Sequence, residues 1–298
     1  MKIPDITIIG LGRLGQVLAK RLAEKDIAIK SVFNRTEEKA RKLSSRLNID
    51  ISASFPAKKA QLGHLVFLTL SDGAIEQAAW QLSEMDSDFT GYTFVHCSGN
   101  EPASLLSHLQ KKGAEIASFH PLQSFTAQAG HDDFDNIFFS LQGDKKTFKT
   151  LMPLAKKLGA HAFEVTEEQK SQLHAAAVIA SNYLISLIKV STETGALGGL
   201  PQKQVQKALL PLIQKTLQNV SGQSLNEALT GPIVRGDIET VKKHIKLLEN
   251  QSQLQKVYTV LGCETVKLAE SDGSIDSDQA GNLREVLGVF RRRATERE

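Results

Sequence analysis

The segment ITIIGLGRLG, residues 6–15, constrains the fold of this chain more than any other. An apolar, β-branched run enters Gly10, Gly12 and Gly15, and Leu14, Val17, Leu18 and Leu22 then recur at helical spacing. That order predicts a strand, a glycine turn and a helix. The three glycines serve different physical ends. Gly10 permits the tight turn, Gly12 lets the backbone approach a pyrophosphate, and Gly15 lets helix and strand pack closely. The bound anion meets the N–H groups at the helix N-terminus. Arg13 and Leu14 complete the turn and count with the cofactor-contacting residues.

A second apolar run, IAIKSVF, ends at Asn34, where an acidic residue would hold the ribose hydroxyls of NAD. The chain instead reads Asn34, Arg35, Thr36. A guanidinium binds a 2′-phosphate through paired hydrogen bonds and a carboxylate would repel it, so the triplet favours NADP over NAD. The plainer alternative is that Thr36 caps the next helix and Arg35 is a solvated charge. The βα alternation continues through ISAS, LVFLTL, YTFVHCSG and AEIAS. Open parallel sheets bind ligands beyond the carboxyl ends of their strands, which draws attention to Ser71 and Asp72, to Cys97, Ser98 and Gly99, and to His120 in SFHPLQSF. Turn chemistry and helix capping compete with cofactor contact at Ser71, Asp72, Ser98 and Gly99. Cys97 sits among the same cofactor-side positions, although a free cysteine usually packs as a small hydrophobe. His120 supplies or takes a proton near neutral pH, or is a satisfied histidine at a junction that Pro121 shapes. His64, His108, His131, His161 and His244 have no comparable placement.

A chain of 298 residues has room for about two domains. The expected division is residues 1–165, an α/β Rossmann-type doubly wound parallel sheet, and residues 166–298, an all-α domain. IFFSLQG and FEV extend the sheet, and TEEQ, Thr166 to Gln169, then fits a capping box that opens a helix of about 30 residues. His174, Ser181 and Asn182 share one face of that helix and suggest a lined pocket, or polar groups satisfied within a bundle. Its window from Ser171 to Ile188 lacks Lys, Arg, Asp and Glu and reads as a buried helix rather than a membrane span. In the loop TGPIVRGD, Arg235 clamps an anionic substrate group, or Asp237 pairs with it or caps the following helix. A net charge of +3 and the lack of basic runs interleaved with aromatics argue against nucleic acid. Cys97 and Cys263 match no zinc or redox spacing, and no metal-ligand pattern stands out. The N-terminus resembles no secretory signal, so a reducing, cytoplasmic setting is expected.

Together GLGRLG, NRT, VHCSG, SFHPLQSF, HAAAVIASN and LTGPIVRGD resemble a bacterial family of Rossmann-like proteins with a helical domain catalogued as domain of unknown function 2520. The resemblance spans most of the chain. It implies an NADP-binding Rossmann domain and a helical domain that dimerises, in the wider group of pyrroline-5-carboxylate reductases, β-hydroxyacid dehydrogenases and prephenate dehydrogenases. By that resemblance His120 looks like the catalytic histidine of prephenate dehydrogenases, and Ser98 lies where hydroxyacyl dehydrogenases keep a serine. The Lys-x-x-x-Asn pattern of β-hydroxyacid dehydrogenases is not met at Asn182, since four residues earlier stands Val178; His174 is the candidate to fill that role.

The expected function is an NADP(H)-dependent oxidoreductase that moves a hydride to or from a small carbonyl, imine or hydroxyl compound held between the domains of a homodimer. His120 acts as acid and base, Ser98, His174 and Asn182 polarise or position the substrate, and Arg235 anchors an anionic group. The alternative is an NADP-binding redox sensor without catalysis.

Overall fold

The computed structural model describes residues 3–86, 88–126 and 131–288, the side chains of residues 131 and 132 excepted. The first unit, Met1–Asn182, holds eight strands. These are β1 (Ile6–Ile9), β2 (Ile29–Phe33), β3 (Ile51–Ala53), β4 (Leu65–Leu68), β5 (Thr93–His96), β6 (Glu115–Pro121), β7 (Phe138–Gly143) and β8 (His161–Glu164). They form one sheet in the order β3-β2-β1-β4-β5-β6-β7-β8. All neighbours run parallel except β6 and β7, which pair antiparallel with Phe119 opposite Leu141 and His120 opposite Ser140.

The helices of this unit are α1 (Arg13–Glu24), α2 (Glu37–Leu47), α3 (Asp72–Ser83), α4 (Ser107–Gln110), α5 (Lys145–Lys157) and α6 (Glu167–Val178). Helices cover both faces of the sheet, which is why its central strands are apolar without interruption. Along β4 the side chains alternate: Leu65 and Phe67 join a core with Val17, Leu22 and Leu151, whereas Val66 and Leu68 join another with Ile75, Leu82 and Phe94. Each such side chain taken fully out of water stabilises the fold by about 1.5–3 kcal/mol.

The second unit, Tyr183–Glu298, contains α7 (Leu184–Ala196), α8 (Gln202–Gly222), α9 (Leu225–Ala228), α10 (Ile238–Leu247), α11 (Ser252–Ser271) and α12 (Ser277–Val286). Its small core is built from Val241, Val266, Ala269, Leu283 and Leu287. Asp237 caps α10, accepting from the Thr240 N–H at 3.0 Å and from its hydroxyl at 2.6 Å, so the capping reading of that residue holds.

The capping box at the start of α6 forms as the sequence predicts: Thr166 Oγ1 accepts from the Gln169 N–H, and the Gln169 side chain accepts from the Thr166 N–H. A π turn over Ile179–Tyr183 joins α6 to α7, giving one helical run of 30 residues, Glu167–Ala196. Two expectations are modified here. Contacts divide the chain after Asn182 rather than after residue 165, because α6 packs with the nucleotide-binding unit. The run is also not buried: Ile179, Tyr183 and Ile185 are 62%, 60% and 70% exposed, and only Lys170 and Thr192 are buried along it. By length and composition this helix would span a membrane. Its first turns, however, are fastened to the sheet through Lys170, whose ammonium donates to the Ser98 carbonyl.

Candidate active site

The sheet reverses its winding between β1 and β4, and ligands of such sheets sit at that switch point beyond the carboxyl ends of the strands. Gly10 leaves β1 with φ of 101°, and a Cβ there would lie 2.6 Å from the Thr69 carbonyl oxygen. A Cβ on Gly15 would overlap the Gly10 carbonyl and lie 2.6 Å from Thr69 Oγ1, so only glycine lets α1 approach β1 and β4. Gly12 differs: it is exposed, and a Cβ added there would meet nothing within 4 Å. It is the N-cap of α1 and offers no side chain to the first-turn N–H groups. Those donors and the helix dipole therefore face open space where a phosphate fits.

Asn34 holds this turn. Its Oδ1 accepts from the Leu11 N–H at 2.9 Å, and its Nδ2 donates to the Thr36 carbonyl at 3.0 Å. Arg13, Arg35 and Thr36 are exposed beside it, and Leu14 is half-buried against the core. Thr36 occupies the N-cap position of α2, yet its hydroxyl makes no capping bond, so capping does not explain that residue. No ion pair holds Arg35 among the described residues. Beyond β4, Ser71 is the N-cap of α3 without a side-chain bond, and Asp72 lies in the first turn; both are exposed at the crevice.

The end of β5 is tightly built. His96 is fully buried, its Nδ1 accepting from the Ser98 N–H at 3.2 Å and its Nε2 donating to the Pro102 carbonyl at 3.1 Å. These bonds fix a neutral tautomer, and burial followed by the charge of Lys170 pushes His96 down to about 4. Ser98 is buried, and its hydroxyl accepts from the Asn100 and Glu101 N–H groups at 3.2 and 3.0 Å, the turn chemistry that competes with catalysis at this residue. Cys97 is half-buried against the sheet core, and burial raises its thiol to about 12, which suits packing rather than reactivity.

His120 does not follow the strand, as the sequence suggests, but lies within it as the penultimate residue of β6; the antiparallel partner β7 prolongs the ladder through Pro121. Its ring meets the ring of His174 edge-on, centroids 5.8 Å apart. Gly99 makes the meeting possible, because a Cβ there would collide with His174 Nδ1 and stand 2.8 Å from His120 Cε1 and Nε2. Burial first, then the Lys170 ammonium and the neighbouring His174 and His96 rings, holds His120 at about 3. The sequence suggests an imidazole that titrates near neutral pH; in its folded surroundings the His120 ring is instead neutral there.

Two residues of this cluster escape the sequence reading. Lys170 is 1% exposed, with Nζ 2.5 Å from the Ser98 carbonyl oxygen, and burial brings its ammonium down to about 8. The signal that finds it is a spacing of four, counted back from His174 rather than from Asn182. His96 is masked by its apolar neighbours in VHCSG. A cleft of about 550 Å³ opens beside the histidine pair, walled by Leu122, Leu173, Ala177, Ser181 and Asn182. Arg235 belongs to the second unit, is exposed and forms no ion pair among the described residues.

A glycine turn at the switch point and a cluster of imidazoles at the carboxyl ends of β5 and β6 belong to a Rossmann-type nucleotide-dependent oxidoreductase. Residues 5–98 match the family model described as NADP oxidoreductase coenzyme F420-dependent, and residues 137–265 match the domain of unknown function 2520. The chain carries these two domains in succession, as its motifs imply. Among solved structures it is similar to a candidate NADP oxidoreductase from Bacteroides fragilis, with 26% identity, a TM-score of 0.68, and 90% of this chain covering 99% of that one. A protein from Thermotoga maritima has 26% identity, a TM-score of 0.73 and the same coverage of 90% and 99%. A reductive aminase from Aspergillus terreus in complex with NADPH and ethyl-5-oxohexanoate shares the fold at 16% identity and a TM-score of 0.59, over 98% of this chain and 94% of that one. No curated protein matches the sequence.

Proposed function

We propose that the chain is an NADP(H)-dependent oxidoreductase whose substrate lies in the cleft beside His120 and His174. The observation that carries this reading is the meeting of those two rings across Gly99, on the same side of the sheet as the glycine turn. Three strand spacings, about 14 Å, separate the ends of β1 and β6, which leaves room for a dinucleotide and a small substrate side by side. Gly10, Gly12, Gly15 and the first turn of α1 would hold the pyrophosphate, with Arg35 and Thr36 on the 2′-phosphate and Ser71, Asp72 and Gly99 along the crevice. Bound there, NADPH supplies a hydride. His120 and His174 hydrogen-bond the reacting oxygen or nitrogen, Asn182 orients the substrate from α6 and the π turn, and Ser98 shapes the loop that carries Gly99.

Lys170 serves this site from below. Its charge adds to burial in keeping His120 and His96 neutral, and its bond to the Ser98 carbonyl fixes the loop. The exposed apolar run of α7 and α8, with Ile185, Leu212 and Leu217, is covered in this proposal by a second copy of the chain. Replacing His120 with alanine tests the reading: NADPH affinity is expected to stay within about twofold while turnover on a carbonyl and imine panel disappears. Unchanged turnover refutes the assignment. NADPH that binds but is never oxidised by the wild type favours a sensor instead.

A further inference from the structure

The cleft beside the histidine pair has a chemical bias that narrows its ligand. Among the described residues its wall includes no Lys, Arg, Asp or Glu: it consists of aliphatic side chains and the neutral polar groups of Gln123, Ser124, Ser181 and Asn182 beside the two histidines. The nearest buried charge is the Lys170 ammonium, which is sealed from the cleft and neutralised in part by Asp72 and Glu101. A carboxylate or phosphate on the substrate would find no cation on this wall. A cationic substrate would find no carboxylate and would feel the repulsion of Lys170.

The imidazoles point the same way. His174 Nδ1 is fully buried and has no hydrogen-bond partner, the sole side-chain atom of that kind among the described residues. Sealing a bare N–H costs more than sealing a lone pair, so the proton resides on Nε2, which keeps contact with solvent. His174 then offers a donor to the cleft, and the neutral ring of His120 offers a second polar atom of either polarity. A donor beside a ring that can also donate, in an uncharged wall, matches a carbonyl oxygen, which accepts. It does not match an iminium, which has an N–H to donate and a charge to lose.

We propose that the cleft takes an uncharged ketone or aldehyde with an apolar body, held through its oxygen by His174 and His120, rather than a charged iminium or a substrate anchored by a carboxylate. The inference rests on the reading of this cleft as the substrate site of an NADPH-dependent enzyme. In the reduction, hydride from NADPH forms the new C–H bond, the carbonyl π pair moves to oxygen, and a proton from water completes the alcohol as NADP+ is left. The His174 donor, joined by His120 when its ring donates, favours that developing negative charge.

The experiment compares probes of one size and three charges. The full-length protein saturated with NADP+ is titrated at pH 7 with cyclohexanone, cyclohexylammonium and cyclohexanecarboxylate, and binding is read by saturation-transfer NMR. The ketone is expected to bind at least tenfold more tightly than either ion, and Ser181→Asp is expected to shift the preference tenfold toward the ammonium. A charged probe that binds the wild type as well as the ketone, or no binding of any probe, overturns the inference. Oxidation of NADPH separates the two readings. A cyclic imine turned over faster than cyclohexanone overturns the carbonyl preference and leaves an oxidoreductase, whereas a ketone that binds selectively without being reduced keeps the preference and refutes the enzyme.

Discussion

Acidification should weaken this fold through two histidines, and the loss can be calculated. His96 and His120 stand at about 4 and about 3 in the folded chain, against about 6.5 in an unfolded one. Between those values the unfolded chain binds more protons, so stability rises with pH across the window and falls as pH drops below about 6.5. The contribution is complete above the unfolded value. Going from pH 7 to pH 5 costs about 2 kcal/mol for each ring, about 4 kcal/mol together, or about 10 °C in melting temperature. The assay is a thermal or urea melt of the wild type and of His120→Gln at pH 7, 6 and 5 and constant ionic strength. The variant removes one of the two rings, so its loss over the same interval should be about half that of the wild type. Equal pH slopes in the two proteins would show that His120 is not held neutral by its surroundings, and the account of the cluster would fall with that.

Other expectations follow from the same geometry. Gly12→Val should leave the melting temperature of the cofactor-free protein unchanged, since a Cβ there meets nothing, while weakening NADPH binding at least tenfold by fluorescence titration; Gly15→Ala, which collides with the Gly10 carbonyl, should destabilise the protein by about 1–3 kcal/mol even without cofactor. Arg35→Ala should lower NADPH affinity about tenfold and leave NADH affinity unchanged, as expected for one lost charge-assisted contact. Asp237→Ala removes both bonds to Thr240 and should cost about 1 kcal/mol in a urea melt with no change in turnover. Light scattering after size exclusion should give twice the chain mass of 32.6 kDa; Ile185→Glu with Leu212→Glu should restore the monomer.

The N-terminal half was legible because its physics is local. Three glycines at fixed spacing after an apolar run can each be given a separate purpose, and Gly10 and Gly15 meet the Thr69 segment as close packing requires. Thr166 and Gln169 likewise declare a helix start from four residues of sequence. What was illegible depends on contacts between distant segments. The neutrality of His120 is set first by burial that no local pattern records and then by Lys170, 50 residues later. The reach of β6 through Pro121 follows from the antiparallel return of β7. Exposure of the Ile179–Ile185 stretch is a third such case, because an apolar helix looks alike in sequence whether its cover comes from its own chain or from another.

The position of His120 inside a strand rather than on a loop has a consequence for how firmly its ring is placed. Its backbone is locked opposite Ser140, and β7 is itself held by β8. An imidazole mounted this way is an anvil, held on both sides by paired strands. The cleft wall outside the sheet comes from Leu122–Ser124, from α6 and from the π turn at Ile179–Tyr183, where a helix carries a residue more than its ladder needs.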